Sequence, residues 1–503
     1  MSNIELPFSG ACKPVTLAGY SLLQQGVESL AIVENNGMCI DTAYVERQMA
    51  VLDKRIRVLK HALQATQLWH KWRKAFGSKA NLTSHDQLGH MLFVVLGHPV
   101  TMRTESGQPS TDEDHLQTVK SKFVAAYVKL MKLSKLRNTY LKNIQLETMD
   151  GKLHPFFNLH IARTFRSSSD SINFQNQPTR DPEMGRIVRR CFVARKNHVI
   201  VEADYSGIEV RVAACYHKDP NMLRYIKDTT RDMHRDMAMQ IYKLPKEEMT
   251  KALRSMAKSG FVFSQFYGDY YVHNAELMWD SIQKYDLKTA SGVPLRDWLG
   301  EHGIVARGNC DPKKKPERGT FERHMQEVEN DFWNNRFAVY GQWRKDWYAA
   351  YLRNGYFDTY TGFRFTGRMN RKQAINAPVQ GSAFHCLLWS LNQVVRKLPR
   401  ACPRSYVTGQ IHDSLVGDVH INEIDAYLRL TYKVMTEHIK EWAPWLNVPL
   451  DVEADVTPVN GTWWDKQPIT YNAKDDTFSI EHKKTKEVRT SSSAQELIEF
   501  ITN

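Results

Sequence analysis

The stretch HVIVEADYSGIEVR, from His198 to Arg211, leaves few folds open. Val199, Val201 and Ala203 alternate with Ile200 and Glu202 up to Asp204, the pattern of a short, mostly buried strand with a carboxylate at its exit. Tyr205 to Arg211 breaks the alternation, so Asp204 falls at a strand-to-helix corner. A carboxylate there is open to a ligand; an aspartate at such a corner can equally cap the next helix.

A second acidic corner lies far downstream. YVTGQIHDSLVGDV, from Tyr406 to Val419, reads as two apolar runs around a turn at His412, Asp413 and Ser414, with Asp413 at the tip of a β-hairpin. Two carboxylates at one sheet edge repel unless a divalent cation lies between them. Magnesium suits such a site, since it takes one or two carboxylates and fills its remaining positions with water and phosphate oxygens. A pair of such ions is the arrangement used for in-line phosphoryl transfer.

DYSGIEVR, RSMAKSGFVFSQFYG and QIHDSLV resemble motifs A, B and C of the family A (DNA polymerase I type) DNA polymerases. Thr164 to Pro178, TFRSSSDSINFQNQP, and Ala374 to Ala383, AINAPVQGSA, resemble two further family motifs in the family's order. The resemblance runs from Ala31 to Lys466 and implies that the two acidic corners meet. It implies an α+β right-hand polymerase fold, a palm with an antiparallel sheet and helical fingers and thumb. The expected division is an N-terminal and thumb region over 1–160, palm with motif A over 161–232, fingers with motif B and an enlarged insertion over 233–370, palm with motif C over 371–470, and a C-terminal extension over 471–503.

Residue by residue, the resemblance implies two magnesium ions, with manganese as a substitute, held by Asp204, Tyr205 and Asp413. Arg254 and Lys258 are four apart on one helix face and would hold the incoming triphosphate, with Lys258 counted among the catalytic groups. His234 matches a triphosphate contact, and Glu209 the residue that sits under the sugar and disfavours a 2′-hydroxyl. Arg166, Asn173, Gln175, Asn176, Arg371, Asn376, Gln380 and His412 match contacts to primer and template. Lys135 and Arg137, in a thumb-like stretch, are phosphate contacts or a solvated helix face.

The chain departs from the family in four respects. Motif B departs from the family spacing by one residue: counting from Lys258 in fours gives Val262 and Phe266, counting back from Tyr267 and Gly268 gives Phe263 and Tyr267. The second register is preferred, and it requires a π turn between Lys258 and Phe263. Gly207 stands where the family usually has glutamine, and Ser414 where it usually has glutamate. No Asp-x-Glu metal motif occurs in the first 150 residues, so no 3′-to-5′ exonuclease is expected and proofreading would need a separate protein.

The net charge of +13 favours a polyanionic partner, and the resemblance implies that the partners are primer-template DNA and deoxynucleoside triphosphates. Seven scattered cysteines without a CxxC pair argue against a disulfide scaffold or a zinc site. The first residues show no leader, and no apolar run is long enough to span a bilayer, so a cytoplasmic protein is expected. The resemblance implies a monomeric enzyme of a bacterium or a phage-infected cell, with a processivity factor as a further partner. Asp41 to Phe76 reads as one long amphipathic helix, Phe332 to Tyr351 as a helix whose aromatics are core, and Asp269 to Gly355 as the least familiar region, with a mobile basic loop at Asp311 to Gly319. The tail is expected to hold a small helix capped by Ser493 and Glu496. Two other classes stay open: a single-subunit RNA polymerase, against which Glu209 argues, and a catalytically silent nucleic-acid-binding scaffold.

Overall fold

The computed structural model describes residues 13–502 apart from 101, 105, 106, 179, 180 and 484, with the main chain alone for 114. Its centre is a seven-stranded antiparallel sheet made of β1 (His198–Tyr205), β2 (Tyr406–Ile411), β3 (Ser414–His420), β4 (Val452–Val456), β5 (Gln467–Asn472), β6 (Thr477–Glu481) and β7 (Val488–Ser491). The strand order is β2-β3-β1-β4-β5-β6-β7. Val199, Ile200 and Val201 are all buried, so the first half of β1 is covered on both faces. The alternation becomes visible only at Glu202 and Asp204, where one face opens.

The first arm begins with α1 (Leu17–Asn36), which lies against the sheet body, and α2 (Thr42–Gln64). The single helix expected over 41–76 is two: the chain breaks at Ala65, and α3 (Gln67–Phe76) starts afresh. Thr66 causes the break, because its hydroxyl accepts the Trp69 amide and caps the new helix. With α4 (Lys122–Lys135), these elements enclose a second apolar core around Trp69, Trp72, Leu88, Met91 and Tyr127, apart from the main one.

Next come α5 (Ile208–His217) and the second arm: α6 (Met233–Tyr242), α7 (Lys251–Ala257), α8 (Phe263–Phe266), α9 (Tyr271–Lys284), α10 (Phe321–Asp331) and α11 (Ala338–Asn354). A π turn over Lys258–Val262 joins α7 to α8, as the longer motif requires. The aromatics ahead of and within α11 are core: Phe332 and Phe337 are fully buried, and Tyr340 and Tyr351 nearly so.

Helix α12 (Arg371–Ala401) is buried almost all round, as a helix must be when it runs through the middle of a large core. It covers the back of the sheet with α13 (Ile424–Lys433). Strand β3 passes so close to α13 that a Cβ on Gly417 would stand 2.3 Å from the Tyr427 hydroxyl oxygen. The C-terminal region is more than a tail. Strands β5 to β7 continue the sheet beyond β4, and α14 (Ala494–Thr502) packs on them. Its cap is not Ser493: the Ala494 and Gln495 amides donate to Oδ1 of Asp425, at 2.7 and 3.1 Å, while Glu496 accepts from the Ser491 hydroxyl. Among the described residues, no helix is long and apolar enough to cross a membrane.

Candidate active site

The hairpin between β2 and β3 turns at His412 and Asp413, with Ile411 facing Ser414 and His412 at a φ of 49°. Strand β3 pairs with β1 so that Ser414 faces Asp204, and the Tyr205 amide donates to the Asp413 carbonyl at 3.2 Å. Two carboxylates 209 positions apart in sequence thus become neighbours on one sheet edge. On the other side of β1, Glu453 of β4 faces Asp204 and accepts from the Ser206 hydroxyl at 3.0 Å. Asp204 is open to solvent on one side, yet enclosure by the protein, then the Asp413 charge, push its carboxyl up to about 7. Asp413 is pushed up to about 6 by burial, which Arg166 partly offsets. Two carboxyls held this high are a site short of positive charge, the condition a divalent cation relieves. The donor set, two carboxylates beside a solvent-open cleft, fits magnesium. Among the described residues, no group of three or more His, Cys, Asp or Glu side chains is placed to hold a metal. The Tyr205 side chain is no ligand: its hydroxyl bonds Ser390 at 2.9 Å in the core, which leaves only its carbonyl.

Facing this edge is the second arm. Phe263 and Tyr267 both line a cavity of about 270 Å³ together with Arg166, Glu209, Asn376, Gln380 and Asp413. In the competing register Phe266 also lines it, but Val262 is fully buried, so only the pair Phe263 and Tyr267 faces the cleft as a pair. Glu209, in the first turn of α5, accepts from the Tyr267 hydroxyl at 2.6 Å and from Arg166 at 3.2 Å. Arg166 also reaches Asp413 at 3.6 Å. Asn376 donates to the Tyr267 carbonyl at 3.0 Å, tying α12 to the end of the motif B helix.

One turn back lies a basic cluster. The Lys258 ammonium sits 5.2 Å from the centre of the Phe263 ring, and the His234 ring meets the same phenyl edge-on at 5.5 Å. Burial, with the Lys258 and Arg254 charges, pushes the His234 imidazole down to about 4, so it is neutral at physiological pH. Its Nδ1 is buried and has no protein partner. Two cations and a polar ring nitrogen without a partner make an anion site.

Asp232 was not singled out from the sequence, although its place before Met233 and His234 is that of an N-cap. Its Oδ1 accepts the Arg235 amide at 3.0 Å and caps α6; its Oδ2 accepts from Nε of Arg254 at 2.6 Å. One carboxylate thus holds both the helix that carries His234 and the Arg254 guanidinium. Asp232→Asn keeps the cap and loses the charge. For the nucleotide substrate that the resemblance implies, the expected result is a KM raised by about tenfold, the cost of one charge-assisted hydrogen bond, with a melting temperature within about 2 °C of wild type. Steady-state kinetics beside thermal melting checks this, and an unchanged KM would remove Asp232 from the site.

Of the remaining expected contacts, Gln175 donates to Gln410 and to Ser167, both at 2.8 Å, while the Gln410 amide supports the turn through the His412 carbonyl at 2.7 Å. Gln410 and Ser167 were missed in the sequence; a buried glutamine within an apolar strand was the available signal. Asn173, Asn176, Arg371, Lys135 and His412 are exposed, and Arg371 does not line the cavity. Arg137 is engaged within the first arm, where it pairs with both oxygens of Asp53 at 2.8 and 3.1 Å.

The sequence profile described as DNA polymerase family A matches residues 51–278 and 336–464, leaving 279–335 unmatched within the region expected to be unfamiliar. DNA polymerase I of Bacillus subtilis is 27% identical over 444 residues, which cover 87% of this chain and 44% of that protein. The thermostable DNA polymerase I of Thermus aquaticus is 27% identical over 443 residues, 85% of this chain and 46% of that one. This chain therefore spans less than half the length of either relative. A solved structure, described as the POL domain of Pol1 from M. smegmatis in complex with DNA primer-template and dNTP, shares the fold with a TM-score of 0.68 at 24% identity, over 88% of this chain and 70% of that one. With the profile matched over most of its length, and with acidic corners, motif B helix and cleft arranged as the motifs require, this chain belongs to DNA polymerase family A.

Proposed function

We propose that this chain is a template-directed DNA polymerase that adds deoxynucleotides to a primer 3′ end. The observation that carries the reading is the β3–β1 register, which sets Asp413 beside Asp204 at the cleft that Phe263 also lines, while Lys258 and His234 pack on that same phenyl ring. A carboxylate pair suited to metal ions and a cationic cluster suited to a triphosphate are the two charge-stabilising elements that phosphoryl transfer needs. The names of the relatives, and the neighbour solved in complex with DNA primer-template and dNTP, support the same substrates.

In this reading 1–160 is the thumb side, 233–370 the fingers, and the sheet with α12 the palm. Asp204, Asp413 and the Tyr205 carbonyl would hold the magnesium. Bound there, it supplies Lewis-acid stabilisation of the attacking and leaving oxygens. Arg254 and Lys258 bind the triphosphate and offset charge on the departing pyrophosphate. Phe263 offers an aromatic face to the incoming base. Glu209, held by Arg166 and Tyr267, closes the space where a 2′-hydroxyl would sit. The reading assigns no proofreading activity to these residues.

Primer extension on a defined template with magnesium, with deoxynucleotides and ribonucleotides in separate reactions, tests it. Expected is extension by deoxynucleotides, and a narrowing of the deoxy-to-ribo preference by about tenfold or more in Glu209→Ala, the size of one steric and desolvation penalty. Ribonucleotide preference in the wild type would point to an RNA polymerase, and absence of any extension by folded, DNA-binding protein to a scaffold.

A further inference from the structure

The extra residue in motif B is absorbed in the π turn Lys258–Val262, where the Phe263 amide reaches back to the Lys258 carbonyl. Such a turn is uncommon and persists where the surroundings hold it, because carbonyls inside it slip past the amides they would meet in an α-helix. Here the surroundings are unusually polar for a core. Asn274 of α9 and Gln265 of α8 are both fully buried. The Asn274 amide nitrogen donates to the Gly260 carbonyl, inside the π turn, at 3.0 Å and to the Ser264 hydroxyl at 2.8 Å. Its oxygen accepts from Gln265 at 2.7 Å. The Gln265 nitrogen also donates to Glu329 of α10 at 2.5 Å, and its oxygen accepts from the Trp333 indole at 2.7 Å.

We propose that Asn274 is a positioning residue that locks the π turn and thereby sets where Phe263 and Tyr267 stand relative to Lys258. The role rests on the polymerase reading only for its functional consequence; the lock itself is a property of the fold. Each amide group of Asn274 and Gln265 has a protein partner, so the helix cannot slip by one residue without leaving buried polar atoms unpaired. Gly260 allows the close approach, since a Cβ there would stand 2.9 Å from Cγ of Met278 on the same α9. Glu329 and Trp333 belong to 279–335, the stretch outside the family profile. The unfamiliar segment therefore supplies the far half of the lock that the lengthened motif needs.

The test is hydrogen exchange on the full chain over residues 258–267, in wild type, Asn274→Leu and Asn274→Asp. Leucine removes every polar contact; aspartate keeps the shape and can still accept from Gln265 but cannot donate to Gly260. Expected in both is exchange of the 258–267 amides faster by about tenfold or more, with the amides of β1 and β3 unchanged, as for a local rather than global opening. In single-nucleotide incorporation, KM for the nucleotide rises by about tenfold while kcat stays within about threefold and primer-template affinity is unaltered, the split expected when nucleotide placement and not chemistry is disturbed. A general loss of stability would instead raise exchange everywhere and leave that split absent. If Asn274→Leu does not fold, Asn274→Asp carries the measurement. Unchanged exchange at 258–267 overturns the lock whatever the activity; faster exchange with unchanged KM overturns its role in positioning. Failure of the wild type to extend a primer would count against the polymerase reading and leave the exchange result standing.

Discussion

Asp204→Ala and Asp413→Ala are each expected to lower deoxynucleotide addition by on the order of 10³-fold or more, the several kcal/mol that metal-assisted charge stabilisation contributes. Asp204 stands on β1 and Asp413 in the β2–β3 turn, and the pairing of Ser414 with Asp204 fixes their proximity, so neither can move to replace the other. Asp204 sits on a strand paired on both sides and Asp413 in the adjoining turn, and neither side chain is part of the apolar core. Stability should therefore fall little or even rise, since each carboxyl is held well above its ordinary range by enclosure and like charge. The combination to look for is lost extension with retained DNA binding and an equal or higher melting temperature. Retention of more than about a tenth of wild-type rate in either variant would exclude that carboxylate from the chemistry.

Trp463→Ala should have the largest effect on stability, about 4 kcal/mol, the cost typical of emptying a site of that size in a core. The indole is fully buried. It stacks on Phe174 at 5.3 Å, meets Phe192 edge-on at 5.4 Å, and carries the Arg189 guanidinium over its ring at 4.3 Å. Its Nε1 donates to Glu202 of β1 at 3.0 Å. Removing it leaves a cavity and strips a ring from a guanidinium whose Nε has no other partner. Phe174 opens the short turn holding Gln175, which supports the Asp413 hairpin through Gln410, so loosening should reach the site. Trp463→Phe keeps the stack and loses the Glu202 hydrogen bond, which should cost only about 1 kcal/mol. Urea unfolding compares the two; a difference below about 1 kcal/mol between Trp463→Ala and wild type would show that the cluster is not a keystone.

What was legible in the sequence follows from what is local. The β1 strand and the hairpin could be read because alternation and an acidic exit lie within a few residues of each other. The π turn could be read from a single count, nine positions from Lys258 to Tyr267, because a helix converts spacing directly into facing. Arrangements made across the chain could not. The break at Thr66 was hidden because helical apolar spacing continues on both sides of it. Asp425 caps a helix 69 positions later, and Ser493, the local candidate, was named instead. Glu453 becomes a neighbour of Asp204 only through the β4 register, and Asp232 acquires its second partner only when the motif B helix folds back onto α6. Strands β5 to β7 are short, and their successive addition to the sheet beyond β4 was not foreseen.

Those last strands alter what the end of the chain does. Without them, β4 would be the rim of the sheet, with a row of open amides and carbonyls directly beside the strand bearing Asp204. Such a rim invites pairing with another chain. With them, the rim moves three strands outward to β7, four residues long and carrying Arg489 and exposed polar groups, with α14 packed alongside. The C-terminal region thus acts as a hem: it insulates the acidic strand pair from stray β-partners by placing a short, charged border at a distance from it.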